Sequence, residues 1–329
     1  MGTNGEPGMS VRFSVLVPTY NREEHTRQAI ESLLAQTFQN FELIVIDDGS
    51  TDGTPAMLAS YGKRIRVLKQ ANQGPEVARN YAASVAQGEY LVMLDSDDLL
   101  MPYALETYDC VIDSLQPPLL IGSMKYFQEG TPLPKPDADG RIEVYKCPDF
   151  LAKDISVGLS NSRIIVPKAL LEKIGGLRHT SPKTFHLDDF NLVLKLGTSS
   201  PCVIVKHPTT VAYRTHESNS IKSLEPMVNG IFGLIRDEHA GFYPGGAQRR
   251  YGRYVIIGGI AQRWVQKAFQ FHRPGQALRL AFGSAPMLAS VVYKKLTTRF
   301  RKSPTELITI SAQARAQSTS ELAPAARTR

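Results

Sequence analysis

The stretch Gly88-Glu-Tyr-Leu-Val-Met-Leu-Asp-Ser-Asp-Asp98 decides the fold. Residues 90 to 94 form a short β-rich apolar run that stops abruptly at three carboxylates, Asp95, Asp97 and Asp98. Two earlier runs have the same form. Phe13-Ser-Val-Leu-Val17 ends in Pro18-Thr-Tyr-Asn21, and Phe41-Glu-Leu-Ile-Val-Ile46 ends in Asp47-Asp-Gly-Ser-Thr-Asp52. Between them Ala29, Ile30, Leu33, Leu34 and Phe38 recur at helical spacing, which predicts an amphipathic helix over 23–36. The pattern continues with a helix over 54–61, a short strand over 65–68 and a helix face of Val77, Ala78, Tyr81, Ala82 and Val85. Strands alternating with helices imply an α/β fold, its mostly parallel sheet covered on both faces. Such sheets bind ligands beyond the carboxyl ends of their strands, where the three polar clusters fall.

Further along the chain the expected elements are an extended segment over 119–127, a Pro-rich loop over 131–140, a strand over 162–166 and helices over 168–174 and 188–196. Residues 202–214 read as extended. Beyond Pro226 the chain reads as helical, notably over 251–272 and 274–301. The expected organisation is a flexible segment 1–10, a catalytic domain 11–222 with a nucleotide-binding half to about 116 and an acceptor half from 117, a helical extension 223–302, and a polar, disordered tail 303–329.

Charge divides the 329 residues unevenly. Residues 241–329 hold 15 Lys or Arg against Glu306 and Glu321, a balance of +13, whereas the 23 basic and 29 acidic groups before them give −6. That asymmetry suits a front part that recruits a cation and a rear part that meets an anionic partner or membrane surface. Packing of the helices against the catalytic domain is the alternative. The polar Met1 to Ser10 segment has no apolar core of a secretory signal, so a cytoplasmic location is expected, peripheral at the inner face of the membrane if the basic helices bind lipid. Residues 277–293, broken by Arg279 and Pro286, fall short of a spanning helix. Cys110, Cys147 and Cys202 show neither a disulfide framework nor zinc-ligand spacing, and no nucleic-acid partner is expected.

No G-x-G-x-x-G follows the first strand and no G-x-x-x-x-G-K-[ST] occurs, which argues against dinucleotide-binding and P-loop proteins. Instead Pro18-Thr-Tyr-Asn21, Val45-Ile-Asp-Asp-Gly-Ser-Thr-Asp-Gly-Thr54, Asn72-Gln-Gly74 with Ala78-Arg-Asn80, the 88–98 stretch, Gly175-Gly-Leu177, Asp188-Asp189 and Tyr213-Arg-Thr-His216 stand in one order. Over residues 12–222 this resembles the family 2 glycosyltransferases. The resemblance implies a GT-A fold, a nucleotide-diphosphate sugar donor (a UDP-sugar first among them), Mn²⁺ or Mg²⁺, inversion at the anomeric carbon, and a glycan or lipid-linked acceptor.

By that resemblance Pro18, Thr19, Tyr20, Asn21, Asp48, Arg79, Asp95, Ser96 and Asp97 are expected to bind the donor. Asp48 would accept from a base N–H, Tyr20 would cover the base, and Arg79 would reach base or phosphate. Arg214 and Lys222 are expected to bind the diphosphate from a loop that closes over it. Asp95, Asp97 and Asp98, with His216, are the expected cation ligands, because a hard divalent ion binds carboxylate and phosphate oxygen together. Asp189 is the expected general base, with Asp188 as its orienting neighbour. The family's usual Glu-Asp pair is here Asp-Asp, which shortens the first side chain. A non-catalytic nucleotide-sugar binding protein of the same fold is the rival reading, and a sugar-phosphate nucleotidyltransferase lacks its Gly-rich loop.

Overall fold

The structure, a computed structural model, describes residues 10–177, 187–216, 224–297 and 305–311. Strand β1 (Phe13–Thr19), helix α1 (Glu23–Leu34), β2 (Phe41–Asp47), α2 (Thr54–Ser60), β3 (Arg66–Lys69), α3 (Pro75–Val85) and β4 (Tyr90–Met93) follow the alternation of the sequence. Period-2 geometry sorts the strand residues. Val15, Val17 and Val45 face α1 and α2, while Leu16, Ile44 and Ile46 face α3. Both faces are therefore apolar, as a buried parallel sheet requires.

The chain continues through β5 (Leu99–Leu100), α4 (Ala104–Leu115), β6 (Leu119–Ile121), β7 (Met124–Gln128), β8 (Arg141–Cys147), β9 (Ile164–Pro167), α5 (Lys168–Lys173), α6 (Asp188–Leu196), β10 (Cys202–His207) and β11 (Val211–Thr215). The large sheet has the order β12-β8-β10-β6-β9-β4-β1-β2-β3, with β12 being Glu306–Ser311. The strands β3, β2, β1 and β4 run parallel, and β9 and β8 run against their neighbours. A small second sheet, β5-β11-β7, lies where the carboxyl end of β4 turns away.

The extended segment expected over 119–127 is two strands that join different sheets, parted by a buried Gly122-Ser123 turn. A Cβ on Gly122 would stand 2.4 Å from the Tyr108 hydroxyl. The 202–214 segment is likewise divided at Pro208 into β10 and β11.

The helical extension contains α7 (Leu224–His239), α8 (Gly246–Gln270), α9 (Pro274–Gly283) and α10 (Ala285–Thr297). Its core is continuous with the α/β part through α6, whose Leu192, Val193 and Leu196 face the sheet while Leu194 packs with Ile231, Leu234, Ile257 and Trp264. A buried polar bridge reinforces that contact: Asn191 Nδ2 on α6 donates to Asp237 Oδ2 at 3.3 Å and to Tyr243 Oη at 3.0 Å. Close helix approach depends on Gly258, where a Cβ would stand 2.3 Å from the Met287 carbonyl oxygen. No described helix is long and apolar enough to cross a membrane.

The disordered tail expected from residue 303 needs correction, because residues 306–311 pair antiparallel with β8. In the run Leu307-Ile-Thr-Ile310 the last three residues are β-branched; the run finds the open edge of β8, and Ile308 and Ile310 pack against the core on the α4 side. The expectations for residues 1–9, Lys222 and residues 312–329 lie outside the described residues.

Candidate active site

Three elements deliver the acidic cluster and its surroundings. Past β4, Leu94 N still donates to Leu16 O, after which Asp98 N donates to Asp95 O at 3.0 Å and the chain turns. That turn gathers the carboxylates of Asp95, Asp97 and Asp98 so that one oxygen from each lies within 4.8 Å of the others. Ser162 ties the turn from β9's side: its Oγ accepts from Asp95 N at 3.0 Å and donates to Asp98 Oδ2 at 2.6 Å.

The three carboxylates differ in their partners. Asp98 is buried and accepts from Ser162 Oγ and from Arg214 N, the latter at 3.0 Å. Asp97 Oδ2 accepts from both Arg22 Nη1 at 2.6 Å and His216 Nε2 at 2.8 Å. Asp95 pairs with Arg79 and is the most open of the three. Burial pushes the Asp95 carboxyl up to about 6, with Asp97 and Asp188 adding to it and Arg79 opposing. Burial and the charges of Asp97 and Asp95 push Asp98 well above the ordinary carboxylate range. For Asp97 burial acts in the same direction, but the His216 hydrogen bond and the Arg22 charge outweigh it and hold the group low. A crowded set of hard oxygen donors that resists holding all its charges suits a divalent cation.

Arg79, on α3, joins this cluster to the start of α6. It is buried, pairs with Asp95 and donates from Nη1 to Asp188 Oδ2 at 2.8 Å. Asn161 Nδ2 donates to the same Asp188 oxygen at 2.7 Å. Arg79 Nε and Asn161 Oδ1 are buried without a hydrogen-bond partner among the described residues, so both retain capacity that a polar ligand can take up. Next to Asp188, Asp189 accepts from Phe190 N at 2.7 Å in the first turn of α6. Burial and then the Asp188 charge push the Asp189 carboxyl up to about 8. Glu76, in the first turn of α3, is pushed up to about 7 by burial and Asp188.

The expected donor-binding residues fall at the carboxyl ends of β1 and β2. Pro18 lies within β1 opposite Ile46, and Thr19 is buried with its hydroxyl 2.6 Å from Thr26 Oγ1. Tyr20 is 45% exposed beside them. Asn21 takes φ +49° and links to the neighbouring loop, its N–H donating to Ser50 Oγ and its Oδ1 accepting from Thr51 N. Asp48 is buried and holds the loop after β3: Oδ1 accepts from Gln70 Nε2 at 2.7 Å and Gln73 N at 2.9 Å, and Oδ2 accepts from Gly74 N at 2.9 Å. Ser96 is buried in the acidic turn.

Arg214 is on strand β11 rather than on a loop. Its Nε donates to Asp97 O at 2.9 Å, its Nη2 to Gln28 Oε1 at 2.6 Å, and its guanidinium lies 4.8 Å from the Phe127 ring centroid. The parallel pairing of β11 with β7 carries it, and with it His216, back to the acidic turn. His216 stacks on His25 of α1 with centroids 5.3 Å apart, and His25 in turn bonds Glu129 at 2.6 Å.

Arg22, His25, Glu76, Asn161 and Ser162 escaped the sequence reading. Arg22 carries a faint signal, since it follows Pro18-Thr-Tyr-Asn21 directly. Glu76 reads as an ordinary acid in a helix's first turn, and Asn161 and Ser162 reach the site only through β9 pairing with β4. The motifs also clasp each other: Asn80 Nδ2 donates to Leu177 O at 3.0 Å and Asn80 Oδ1 accepts from Leu177 N at 2.8 Å.

With this geometry the relationships to known proteins fall into place. Residues 14–137 match the family model for glycosyl transferase family 2. Glycosyltransferase GlyG of Streptococcus pneumoniae is 33% identical over 154 residues, which are 45% of this chain and 48% of GlyG, so the chain spans about half of that relative. The uncharacterized glycosyltransferase RT0329 of Rickettsia typhi is 32% identical over 229 residues, covering 66% of this chain and 70% of its own. Among solved structures, TarS 1–349 of S. aureus in complex with UDP-GlcNAc has a similar fold, with a TM-score of 0.53 and 20% identity over 88% of this chain and 93% of that one. Strand-end motifs, the mixed α/β sheet that presents them and extended similarity to these relatives agree, and the chain belongs to glycosyl transferase family 2.

Proposed function

We propose that the protein is an inverting, cation-dependent glycosyltransferase that moves a sugar from a nucleotide-diphosphate donor to a hydroxyl of a glycan or lipid-linked acceptor. The observation that carries this reading is the bridge made by Arg79 between Asp95 of the acidic turn and Asp188 beside Asp189. It couples a cation-holding cluster to a carboxylate suited to accept a proton. A UDP-sugar is the donor to test first, in keeping with the UDP-GlcNAc bound by TarS.

Asp97 and Asp95 would hold Mn²⁺ or Mg²⁺, with His216 beside them and Asp98 anchoring the turn through Ser162 and Arg214. When bound, the cation neutralises the diphosphate as it departs. Tyr20 covers the base, flanked by Pro18, Thr19 and Asn21. Asp48 Oδ2, with Gly74 N as its one partner among the described residues, retains a lone pair for a base N–H. Arg79 Nε and Asn161 Oδ1 offer a donor and an acceptor to the sugar phosphate. Asp189 takes the proton from the acceptor hydroxyl as that oxygen attacks the anomeric carbon opposite the diphosphate. A carboxyl held up to about 8 is, once ionised, a stronger base than an ordinary carboxylate. Asp188, fixed by Arg79 and Asn161, orients it. Lys222 and a peripheral attachment to the inner membrane surface are part of the same reading.

A screen of nucleotide sugars for Mn²⁺-dependent thermal stabilisation identifies the donor, because a ligand of the folded state raises its midpoint. Donor hydrolysis in Mn²⁺ should follow and should vanish in Asp97→Ala. A protein that binds donor without turnover and without regard to metal is instead the non-catalytic relative.

A further inference from the structure

A cavity of about 300 Å³ lies between the loop after β8 and helices α8 and α10, away from the acidic turn. Its walls are apolar, with Phe150 and Val157 from the catalytic domain, Phe190 from α6, and Ile256 and Val291 from the extension. Every charged residue that lines it is a cation: Lys153, Arg263, Lys294 and Lys295. Lys294 Nζ donates to the Lys153 carbonyl oxygen at 3.0 Å, and Lys153 Nζ donates to Phe150 O at 3.2 Å and lies 3.6 Å from the Phe150 ring centroid, where the cations meet the aromatic wall. The neighbouring carboxylates Asp149 and Asp154 are not among the lining residues; they accept from Arg249 and Thr305 and also act on the charges of Lys153 and Lys294 from behind the rim. The sequence has the same bias, with no Asp or Glu between Glu238 and Glu306.

We propose that this cavity binds a single-chain lipid phosphate, with the hydrocarbon among Phe150, Val157, Phe190, Ile256 and Val291 and the phosphate at the Lys153–Arg263–Lys294–Lys295 rim. An apolar slot alone would accept any hydrocarbon, and a cationic surface alone any anion. Their combination selects a molecule that is both, since each half supplies binding energy the other lacks. Burial also pushes the Lys153 ammonium down to about 8, so an arriving anion relieves a desolvated charge. Phe190, which lines the cavity, follows Asp189 directly on α6, so the ligand lies on the helix that carries the proposed base. The inference deepens the proposed function, on which it rests, by assigning the acceptor to the lipid-linked class.

Gly259 gives a clean way to close the cavity. It lines the space in the middle of α8, and a Cβ there would meet nothing within 4 Å. Gly259→Leu therefore fills the slot while replacing a poor helix former with a good one. Binding of decyl phosphate to the full chain is measured by calorimetry, alongside inorganic phosphate and the uncharged decyl glucoside. The wild type should bind decyl phosphate at least about tenfold more tightly than either control, a difference of about 1.4 kcal/mol. Gly259→Leu and the double variant Arg263→Glu/Lys295→Glu should each lose that preference while keeping the wild-type melting temperature or exceeding it. Failure of the wild type to bind, equal affinity for the controls, or undiminished binding in Gly259→Leu overturns the proposal. Donor hydrolysis is read in parallel and should persist in Gly259→Leu. Its absence in the wild type would count against glycosyl transfer and not against lipid binding.

Discussion

Two strand ends of this molecule carry the same residue type and use it differently. After β2, the Asp47 carboxylate accepts from Ser50 N, Asp48 from Gln70, Gln73 and Gly74, and Asp52 from Thr54 N. After β4, Asp95 and Asp97 instead face side chains, the guanidinium groups of Arg79 and Arg22 and the His216 imidazole. The first set organises loops by accepting mainly backbone N–H groups. The second gathers charge that the fold itself compensates with cations. Position at a strand's carboxyl end therefore does not determine a carboxylate's task; the partners do.

That contrast can be broken most forcefully at Asp97. Its replacement by Ala should lower cation-dependent donor turnover by about 10³-fold or more, the several kcal/mol expected of a lost cation site, while the melting temperature moves less than in Asp48→Ala. Steady-state kinetics beside calorimetry checks both halves. Asp189→Asn should cost about 10²- to 10⁴-fold in kcat with the donor's Kd unchanged, as expected when a general base is removed. Equal losses in Kd and kcat would instead make Asp189 a binding residue. Asp48→Ala should act mainly on the fold, lowering stability by about 2–3 kcal/mol because three donors lose their acceptor. If it left stability intact and only weakened nucleotide binding, the two strand ends would be alike after all.

The smallest effect concerns pH. Asp95, Glu76 and Asp189 are held up to about 6, 7 and 8, above the ordinary carboxylate value near 4. Raised folded values mean that the folded state binds more protons, so the stability these groups contribute is full below about pH 4 and is lost as pH rises to about 8. The metal-free melting temperature should fall across that window. Asp189→Asn should flatten the fall, and Mn²⁺ should reduce it by compensating the ionised cluster.

The sequence made the alternating strands and helices of residues 13–94 plain because their signals are local. Alternating Val15/Leu16/Val17 and Leu43/Ile44/Val45/Ile46 sort themselves to two faces, and the acidic turn is contiguous. The place of Asp188 and Asp189 at the start of a helix was legible for the same reason. What escaped depends on long-range pairing. Arg22 meets Asp97 across 75 residues and Ser162 meets Asp98 across 64. Arg214 read as a mobile anion-binding residue because a Tyr-Arg-Thr-His stretch has no feature that distinguishes a loop from the strand β11. Strand β8 lay hidden because Arg141 to Cys147 alternates only weakly, and β12 because a short apolar run was set in a polar tail. Adjacent glycines of α8 were equally mute: Gly258 is required by helix contact with Met287, while Gly259 faces open space.

The pairing of β12 with β8 also changes how the extension is attached. A domain appended after β11 by one connection could swing as a pendulum. Here the chain leaves the small sheet at β11, builds α7 to α10, and returns to the β8 edge of the large sheet, so the four helices form a loop fastened at both ends. A fastened loop costs little more to close when it is lengthened, since closure entropy grows only logarithmically, but its freedom to rotate is curtailed. Anything the helices hold is thereby kept at a fixed bearing to α6 and to the carboxylates at its start. The final strand acts as a clasp: it covers the edge of β8 and becomes the outermost strand itself.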